Sequence, residues 1–296
     1  MIINKITKNI LSFFLIVFVA MFVFGCGTVK QTAVQTGGVQ EPEKKVLLSG
    51  DGLTENITLT LQEMLQLPEA KYEHLYSTIN SWPTPKIYAA RGIKLEEIFK
   101  AAGLKKEAKC FTFKGAGNYQ CSFTREQLLE TPRFYFPGIL KDDPAGAEQV
   151  KPIIAYEYRE NCNTINKITP EELTLIMPQA YLEEQTNYAF VKDIKEITIT
   201  TEDPGKWEAA TAFPLAGKIA KGETVKLQHK YMDNVRIYYT LDGSTPTEKS
   251  MLYNPSTFQP ELNKPILLEK DTTLKVLAKG FGKYDSETAI YNYQIK

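Results

Sequence analysis

The sequence predicts an α+β fold in which a mixed module is followed by a small all-β module. Short β-rich runs alternate with short helices from Val46 to about Thr200, whereas only β runs and turns follow from about Val225. Of the 296 residues, 43% are apolar and 24% are charged, enough apolar sequence for one large core or two ordinary ones. We therefore expect two modules, residues 46–203 and 225–296, joined by a linker at 204–224.

The charge and histidine content excludes several classes of function. The chain has 35 basic and 35 acidic side chains and no block of basic residues, so nucleic acid is not an expected partner. It has only two histidines, His74 and His229, too few for a multi-histidine metal site and for most imidazole-based mechanisms. We therefore predict no metal site and assign no catalytic residue.

The N-terminus has the pattern of an export signal. Lys5 and Lys8 precede an apolar run over residues 10–25, which is short for a membrane span of about 20 residues. This pattern predicts a signal peptide over residues 1–25. The run ends in Val-Phe-Gly-Cys at Cys26, which resembles the bacterial lipobox although Phe24 is larger than the usual small residue. The resemblance implies that Cys26 carries lipid and holds the protein at the extracytoplasmic face of the cell membrane. A retained signal anchor is the alternative.

The segment after Cys26 predicts a tether, and the remaining cysteines leave two alternatives open. Residues 26–45 are rich in Thr, Gln and Gly and lack apolar periodicity, which is typical of a flexible connection. Export allows thiols to pair. Cys110 and Cys121 flank a Gly-Ala-Gly-Asn turn between two strand-like runs, so they are candidates for a cross-strand disulfide. Buried free cysteines are the alternative.

Local patterns place the helices and the buried strands of the first module. Thr60 to Glu63 has the pattern of a capping box at a helix start. Lys94 to Ala102 predicts an amphipathic helix that ends at Gly103. The apolar runs at 152–156 and 173–177 predict buried strands.

The order of these elements resembles the molybdopterin-binding domain of the sulfite oxidase family over residues 46–200. The segments that carry the resemblance, taken together as an ordered set, are Asp51-Gly52-Leu53, residues 57–61, 64–68, 91–98, 102–104, 117–119, 152–156, 173–178 and 190–194. The resemblance implies the fold of that domain and a cofactor pocket beside the strand that contains Ser77.

The chain departs from that family at the metal ligand. The family has a cysteine, followed three residues later by asparagine, where this chain has Ser77 and Asn80. A hydroxyl is a harder and less acidic donor than a thiolate. The basic portion that precedes this domain in the family also has no room ahead of Val46. We therefore expect no molybdenum, with a molybdopterin oxidoreductase of unusual ligation as the alternative. The residues proposed to line a ligand pocket are Tyr76, Ser77, Asn80 and Arg91, and ordinary sheet positions are the alternative for the tyrosines.

The C-terminal portion resembles the chitobiase and β-hexosaminidase C-terminal module, which is a small immunoglobulin-like β-sandwich. The resemblance rests on residues 235–247, which contain an alternating strand and the tight turn Asp242-Gly243, and on the strand at 272–278. These are turn and core residues rather than catalytic ones, so the resemblance does not imply glycosidase activity.

Three functions remain as hypotheses. The first is a lipid-anchored envelope protein whose molybdopterin-type domain is a non-catalytic binding or interaction module for an unknown small molecule, protein or glycan. The second is the molybdopterin-dependent oxidoreductase. The third is a cell-wall glycan adhesion protein in which tyrosines of the sandwich bind sugar.

Overall fold

A computed structural model describes residues 43–296. The predicted signal peptide, Cys26 and residues 26–42 of the predicted tether lie outside the described residues. Among residues 43–296 the structure is mostly β, with two short α-helices, so the mixed α+β class is not confirmed. The two helices have only six and seven residues, and most of the chain that was expected to alternate between helix and strand lies in sheets and loops.

The N-terminal module, residues 43–203, contains eleven strands and both α-helices. In chain order these are β1 (Lys45–Ser49), β2 (Ile57–Thr60), α1 (Leu61–Gln66), β3 (Lys71–Ile79), β4 (Pro85–Lys94), α2 (Leu95–Ala101), β5 (Cys110–Lys114), β6 (Gln120–Thr124), β7 (Phe134–Tyr135), β8 (Glu148–Gln149), β9 (Ile153–Glu160), β10 (Thr169–Ile176) and β11 (Glu196–Thr200).

Two sheets of this module share one hydrophobic core. The first has the order β2-β1-β11-β5-β6, in which β1 and β11 are parallel, and the second has the order β10-β9-β4-β3. The alternation of apolar residues along a strand places one face of the sheet in this core. In β11, Ile197 and Ile199 are buried, whereas the alternating positions 196, 198 and 200 are partly exposed. Helix α2 adds Leu95, Ile98 and Phe99 to the core.

The helix boundaries follow the predicted signals. The Thr60 side chain accepts a hydrogen bond from the Glu63 amide at 3.2 Å, and the Glu63 carboxylate accepts one from the Thr60 amide at 2.8 Å. This capping box starts α1 as expected. Gly103 follows α2 with a φ of +66°, which glycine adopts without steric cost.

The C-terminal module, residues 204–296, is a β-sandwich. Its strands are β12 (Thr211–Phe213), β13 (Gly217–Ile219), β14 (Glu223–Gln228), β15 (Arg236–Thr240), β16 (Met251–Leu252), β17 (Ile266–Leu268), β18 (Thr272–Lys279) and β19 (Ala289–Ile295). They form two sheets, β12-β14-β17 and β13-β19-β18-β15-β16, around a second hydrophobic core.

The predicted linker at 204–224 is corrected by these strands. Strand β12 pairs with β14 and strand β13 pairs in parallel with β19, so the segment belongs to the sandwich. Both strands have three residues and lie at sheet edges, which explains why their apolar alternation was too short to recognise in the sequence.

Cys110 and Cys121 lie on opposite faces of the β5–β6 hairpin. Cys110 is opposite Thr124, and Cys121 is opposite Phe113, three residues along β5 from Cys110. Side chains alternate between faces along a strand, so this offset directs the two thiols apart. Cys110, Cys121 and Cys162 are free thiols in the structure, and the candidate disulfide is not formed.

The two cores belong to one compact unit that spans residues 42–296. Gln127 makes the densest polar contact between the modules. Its Nε2 donates to the carbonyl oxygens of Gly280 and Lys283, each at 2.9 Å, and its Oε1 accepts from the Gly282 amide at 3.0 Å. Next to it, the Phe281 ring lies 5.1 Å from the Phe123 ring centroid. The modules are therefore joined by specific contacts and not only by the chain connection.

Candidate functional site

The four residues predicted to line a ligand pocket lie along the β3–β4 hairpin. Tyr76 is fully buried, and its hydroxyl donates to the Lys151 carbonyl at 3.1 Å. Asn80 is at the turn, where its side-chain oxygen accepts from the amides of Trp82 and Thr84 at 3.0 Å. Each side chain is thus engaged by its own module.

Arg91 lies at the far end of the same hairpin. Arg91 is opposite Glu73 in the β3–β4 register. Glu73 is six positions before Ile79, the residue that precedes Asn80, and six positions correspond to about 20 Å along a strand. Its Nε donates to Glu73 at 2.8 Å and its Nη1 donates to Glu157 at 2.6 Å. The structure therefore does not bring Arg91 and Asn80 into one pocket.

Ser77 takes part in a buried hydrogen-bond network. Its Oγ donates to Gln179 Oε1 at 2.6 Å and accepts from the Phe136 amide at 3.0 Å. The Gln179 amide nitrogen donates in turn to the carbonyl oxygens of Leu182 and Glu184. A metal ligand at this position would have to lose the proton that Ser77 gives to Gln179, so the residues present do not fit a molybdenum site.

A larger site lies between the two modules. We call it the cleft, a cavity of about 640 Å³, a volume that suits a small organic ligand. The N-terminal module contributes the 124–133 and 180–188 regions, and the C-terminal module contributes β15, the end of β18 and the loop after β18. Its charged side chains and two of its tyrosines are Glu126, Arg133, Tyr181, Glu184, Tyr188, Lys206, Arg236, Glu248, Lys279 and Asp285. The lining contains no histidine and no cysteine.

Arg133 is buried in the cleft wall beside a carboxylate. Its side chain is 3% exposed, and its Nη1 donates to Glu184 at 2.7 Å. Its Nη2 donates to the Gln127 carbonyl at 2.7 Å, and its guanidinium lies 5.6 Å from the Phe281 ring centroid. The Nε of Arg133 has no hydrogen-bond partner within residues 43–296. Its charge is neutralised, but one of its donors is free.

Arg236 is buried in the same wall without a carboxylate. It is 6% exposed, its Nε donates to Gln185 Oε1 at 2.8 Å, and its Nη1 donates to the Val235 carbonyl at 2.9 Å. The guanidinium lies 5.7 Å from the Tyr188 ring centroid. Its Nη2 has no partner among the described residues, and no carboxylate within residues 43–296 forms an ion pair with it.

Burial changes the acidity of the tyrosines near Arg236. Burial raises the pKa of Tyr188 well above its usual value, and the charge of Arg236 opposes that shift. Burial likewise raises the pKa of Tyr238 to about 12. The Tyr181 and Tyr238 hydroxyls share a hydrogen bond of 2.9 Å. Only one of the two hydroxyl protons is used in that bond, so the other remains available as a donor.

Two acidic side chains of the cleft, Glu248 and Asp285, form ion pairs with Lys279. Lys279 lies 2.9 Å from Asp285 and 3.6 Å from Glu248. Burial alone would lower the pKa of Lys279, but the hydrogen bond and charge of Asp285 and then Glu248 raise it overall. Glu126 is exposed to solvent. A carboxylate that is paired with a lysine, as Glu248 and Asp285 are, is poorly suited to proton transfer. The pairing therefore favours binding over acid–base chemistry.

A second cavity, of about 540 Å³, adjoins the cleft. It shares Ala180, Tyr181 and Glu248 with the cleft, and Phe134 and Phe136 form its apolar side. Glu248 and Lys249 of the C-terminal module also line it, so this cavity too lies between the modules.

The tyrosines of the sandwich are mostly part of its structure. Tyr238, Tyr253 and Tyr293 are buried, and Tyr231 is exposed but lies against Trp207 and His229. Among residues 43–296 there is no group of three or more His, Cys, Asp or Glu side chains arranged to hold a metal ion. In the same residues, no helix has the length and apolar character needed to span a bilayer.

Comparison with known proteins identifies the class of the second module. Residues 214–291 match the family described as the chitobiase/beta-hexosaminidase C-terminal domain, so the prediction of that domain type is confirmed. The match begins inside the predicted linker, in agreement with the strands found there. The C-terminal module is therefore a β-sandwich of that family.

The remaining comparisons do not identify the whole chain. The sulfane dehydrogenase SoxCD from Paracoccus pantotrophus is similar at 13% identity and a TM-score of 0.35, over 82% of this chain and 68% of that chain. The glycoside hydrolase domain of Spr0440, Endo-D from Streptococcus pneumoniae R6, is similar at 15% identity and a TM-score of 0.21, over 76% of this chain and 33% of that chain. TM-scores this low do not establish a common fold. No curated protein has a matching sequence.

Sequence reasoning missed the cleft and its two arginines. Arg236 alternates with Ile237 and Val235 in the sequence, and that pattern predicts an exposed side chain on the outer face of a strand. The structure covers this face with the 180–188 region of the other module, so the side chain is buried. An arginine flanked by Tyr238 on the same face was the available signal, but a single charged residue on a strand has little diagnostic value.

Proposed function

We propose that the protein is a lipid-anchored cell-envelope protein that binds a small molecule in the cleft between its two modules, without catalysing a reaction on it. The observation that carries this proposal is the cleft itself, about 640 Å³ in volume and built from both modules. Its lining combines four aromatic rings with charged side chains of both signs, so it can contact both the apolar and the polar parts of a ligand. The export signal and Cys26 support a place at the outer face of the membrane.

The non-catalytic part of the proposal rests on the partners of the polar groups. Glu184 is bound by Arg133, and Glu248 and Asp285 by Lys279. Ser77 is at the position of the metal ligand in the sulfite oxidase family, which the N-terminal module resembles in sequence. Its hydroxyl donates a hydrogen bond to Gln179 and accepts one from the Phe136 amide. Neither region presents an activated nucleophile or an open metal ligand.

A cleft-filling substitution tests ligand binding. The full-length protein, solubilised in detergent, is screened by thermal shift against sugars, amino acids, organic acids and nucleotides. Ala180 lines both cavities, so we expect Ala180→Phe to weaken binding of any ligand found by at least tenfold. The control Ala116→Phe adds the same ring on the exposed β5–β6 turn and should bind as wild type does. Equal binding by Ala180→Phe, or no ligand in any class, would contradict the proposal.

The anchor is tested separately. Replacing Cys26 by alanine should abolish incorporation of labelled palmitate and release the protein from the membrane fraction, while Cys110→Ala should change neither. Retained labelling in Cys26→Ala would refute lipidation at this cysteine. Elemental analysis of the same preparations for molybdenum would revive the oxidoreductase alternative if it gave near one metal per chain.

A further inference from the structure

We infer that the exposed rings of Trp82 and Phe258 lie in the interfacial region of the membrane, where they make a second contact with lipid besides the one at Cys26. We call these two rings the aromatic patch. The inference rests on the proposed lipid anchor, but it does not depend on the cleft or on a ligand of the cleft.

The aromatic patch exposes apolar surface that the fold leaves in contact with water. Trp82 is 54% exposed and Phe258 is 63% exposed, and their ring centroids are 6.0 Å apart with an angle of 26° between the planes. Among residues 43–296, no other two exposed aromatic rings contact each other. Adjacent exposed apolar groups, unlike isolated ones, mark sites of contact with a membrane or a partner. Tryptophan is enriched at membrane–water interfaces, because its ring is apolar and its N–H is polar.

Hydrogen bonds hold the two loops that carry the aromatic patch. The Asn80 side-chain oxygen accepts from the Trp82 amide at 3.0 Å. The Ser256 Oγ accepts from the Phe258 amide at 3.2 Å and donates to the Ser81 carbonyl, in the other module, at 2.9 Å. These bonds use the backbone of Trp82 and Phe258 and not their rings. The loops therefore fix both rings at the surface, which lowers the entropy that is lost when the rings bind a partner.

The chemistry of these loops favours lipid over a glycan. Residues 80–85 and 254–265 contain one acidic and one basic side chain, Glu261 and Lys264, so the loops have no net charge to select a charged partner. The side chains of Asn80, Ser256 and Asn263 bond to backbone groups of the two loops. Few polar groups are therefore left beside the rings to bond the hydroxyls of a sugar, whereas the bilayer interface accepts apolar and aromatic side chains.

The proposed anchor brings the aromatic patch within reach of lipid. Cys26 is 17 positions before Glu43, where the described residues begin (43 − 26). A chain of this length reaches at most about 60 Å. Binding of the patch to the bilayer is then an intramolecular step with a high effective concentration. A lipid anchor and a second membrane contact together hold a protein more firmly than either alone.

The experiment measures contact between Trp82 and lipid in the full-length protein. A Trp207→Phe variant, in which Trp82 is the remaining tryptophan, is reconstituted into phosphatidylcholine vesicles and recovered by flotation. Its emission is compared between vesicles with brominated acyl chains, which quench tryptophan on contact, and unbrominated vesicles. We expect bromination to halve the emission at least. In the control Trp82→Phe, only Trp207 remains, half-buried in the sandwich, and bromination should leave its emission unchanged.

Substitutions in the Trp207→Phe background then assign the contact. Phe258→Ser should reduce the quenching of Trp82 at least twofold, because one of the two rings is lost. Phe213→Ser removes a ring of the C-terminal module that is similarly exposed, at 67%, and should leave the quenching unchanged. High salt should also leave it unchanged, because the loops have no net charge.

The outcomes separate this inference from the proposed anchor. Protein that floats with the vesicles but shows no quenching of Trp82 overturns the inference and leaves the anchor in place, whereas protein that does not float refutes both. Quenching that is lost in high salt, or reduced equally by both serine substitutions, also overturns the inference. A Trp82 emission that responds to cell-wall polysaccharide and not to brominated lipid would assign the aromatic patch to a glycan instead.

Discussion

The buried end of β3 around Ser77 and the cleft around Arg236 differ in how their polar groups are satisfied. Around Ser77 every side-chain group has a partner inside the protein, with Gln179 bonding to the serine and to two carbonyls. In the cleft wall, the charge of Arg236 has no carboxylate partner, and one nitrogen of Arg133 and one of Arg236 have no hydrogen-bond partner among residues 43–296. The first region has the residues that a family resemblance singles out, and the second has the physical features of a binding site.

This difference shows that residue type alone does not define a site. Ser77, Asn80 and Arg91 have the polar groups that a ligand pocket needs. In the structure, however, these groups form hydrogen bonds and ion pairs within the N-terminal module. The arginines of the cleft have no notable sequence pattern, yet folding leaves them with unused donors.

The two buried arginines should differ in how much stability is lost when each is replaced by methionine. Arg133→Met leaves the Glu184 carboxylate, 13% exposed, without its partner, and we expect a loss of about 3–5 kcal/mol in the free energy of unfolding. Arg236→Met removes a buried charge that has no carboxylate partner, but it also takes the donor from the buried Gln185 Oε1, so we expect a smaller loss of about 1–3 kcal/mol. Urea denaturation measures both values. Equal losses would show that Arg236 is compensated in a way that the structure does not reveal.

Gln127 should determine whether the two cores unfold together. Gln127→Ala leaves the Lys283 carbonyl and the Gly282 amide without their side-chain partner, at a cost of roughly 1–3 kcal/mol, while the Gly280 carbonyl keeps its bond from Trp207. We expect the unfolding transition, followed by calorimetry, to broaden or separate into two. Gln120→Ala, on an exposed position of β6, is the matched control. One sharp transition in Gln127→Ala would mean that the modules are coupled mainly by other contacts.

The sequence predicts the local elements of this fold better than their assembly. The capping box at Thr60 and the apolar face of α2 depend on neighbours within four residues, and both are found where expected. The β12 and β13 strands depend on distant partners in β14 and β19, and no local pattern marks them. The distance between Asn80 and Arg91 depends on the β3–β4 register, which a hairpin sequence of this length does not reveal.

The cleft could not be predicted because it is a property of the docked modules. Arg236 and Tyr188 are 48 residues apart (236 − 188), and each is unremarkable in its own segment. The chitobiase-type sandwich is predicted correctly from its turn and alternating strand, but that family pattern gives no information on which face meets another module.

The smallest effect is expected when the pH is lowered, and it concerns the Glu160 carboxylate of the N-terminal module. Burial alone would raise the pKa of Glu160, but the hydrogen bonds from Lys86 and Tyr88 lower it below its usual value. A carboxyl group with a lowered pKa stabilises the fold above its unfolded pKa, and this contribution is lost as pH falls through the folded value.

Glu160→Gln should therefore be less stable than wild type at pH 7, and the difference should shrink below about pH 5. Thermal melts over a pH series measure this convergence. Glu55→Gln, at an exposed position, should run parallel to wild type throughout. A difference independent of pH would assign the effect to packing rather than to charge.

The aromatic contact between Trp82 and Phe258 gives the molecule an intrinsic optical reporter. Trp82 is at the β3–β4 turn and is 54% exposed, and its ring lies 6.0 Å from that of Phe258 in the other module. The only other tryptophan, Trp207, lies within the sandwich, with its indole nitrogen bonded to the Gly280 carbonyl. Fluorescence from Trp82 is thus sensitive to separation of the modules, while that from Trp207 reports chiefly on the C-terminal module. In a Trp207→Phe protein, Trp82 would be the remaining tryptophan, and its emission would report on separation of the modules at the Phe258 contact without any added label.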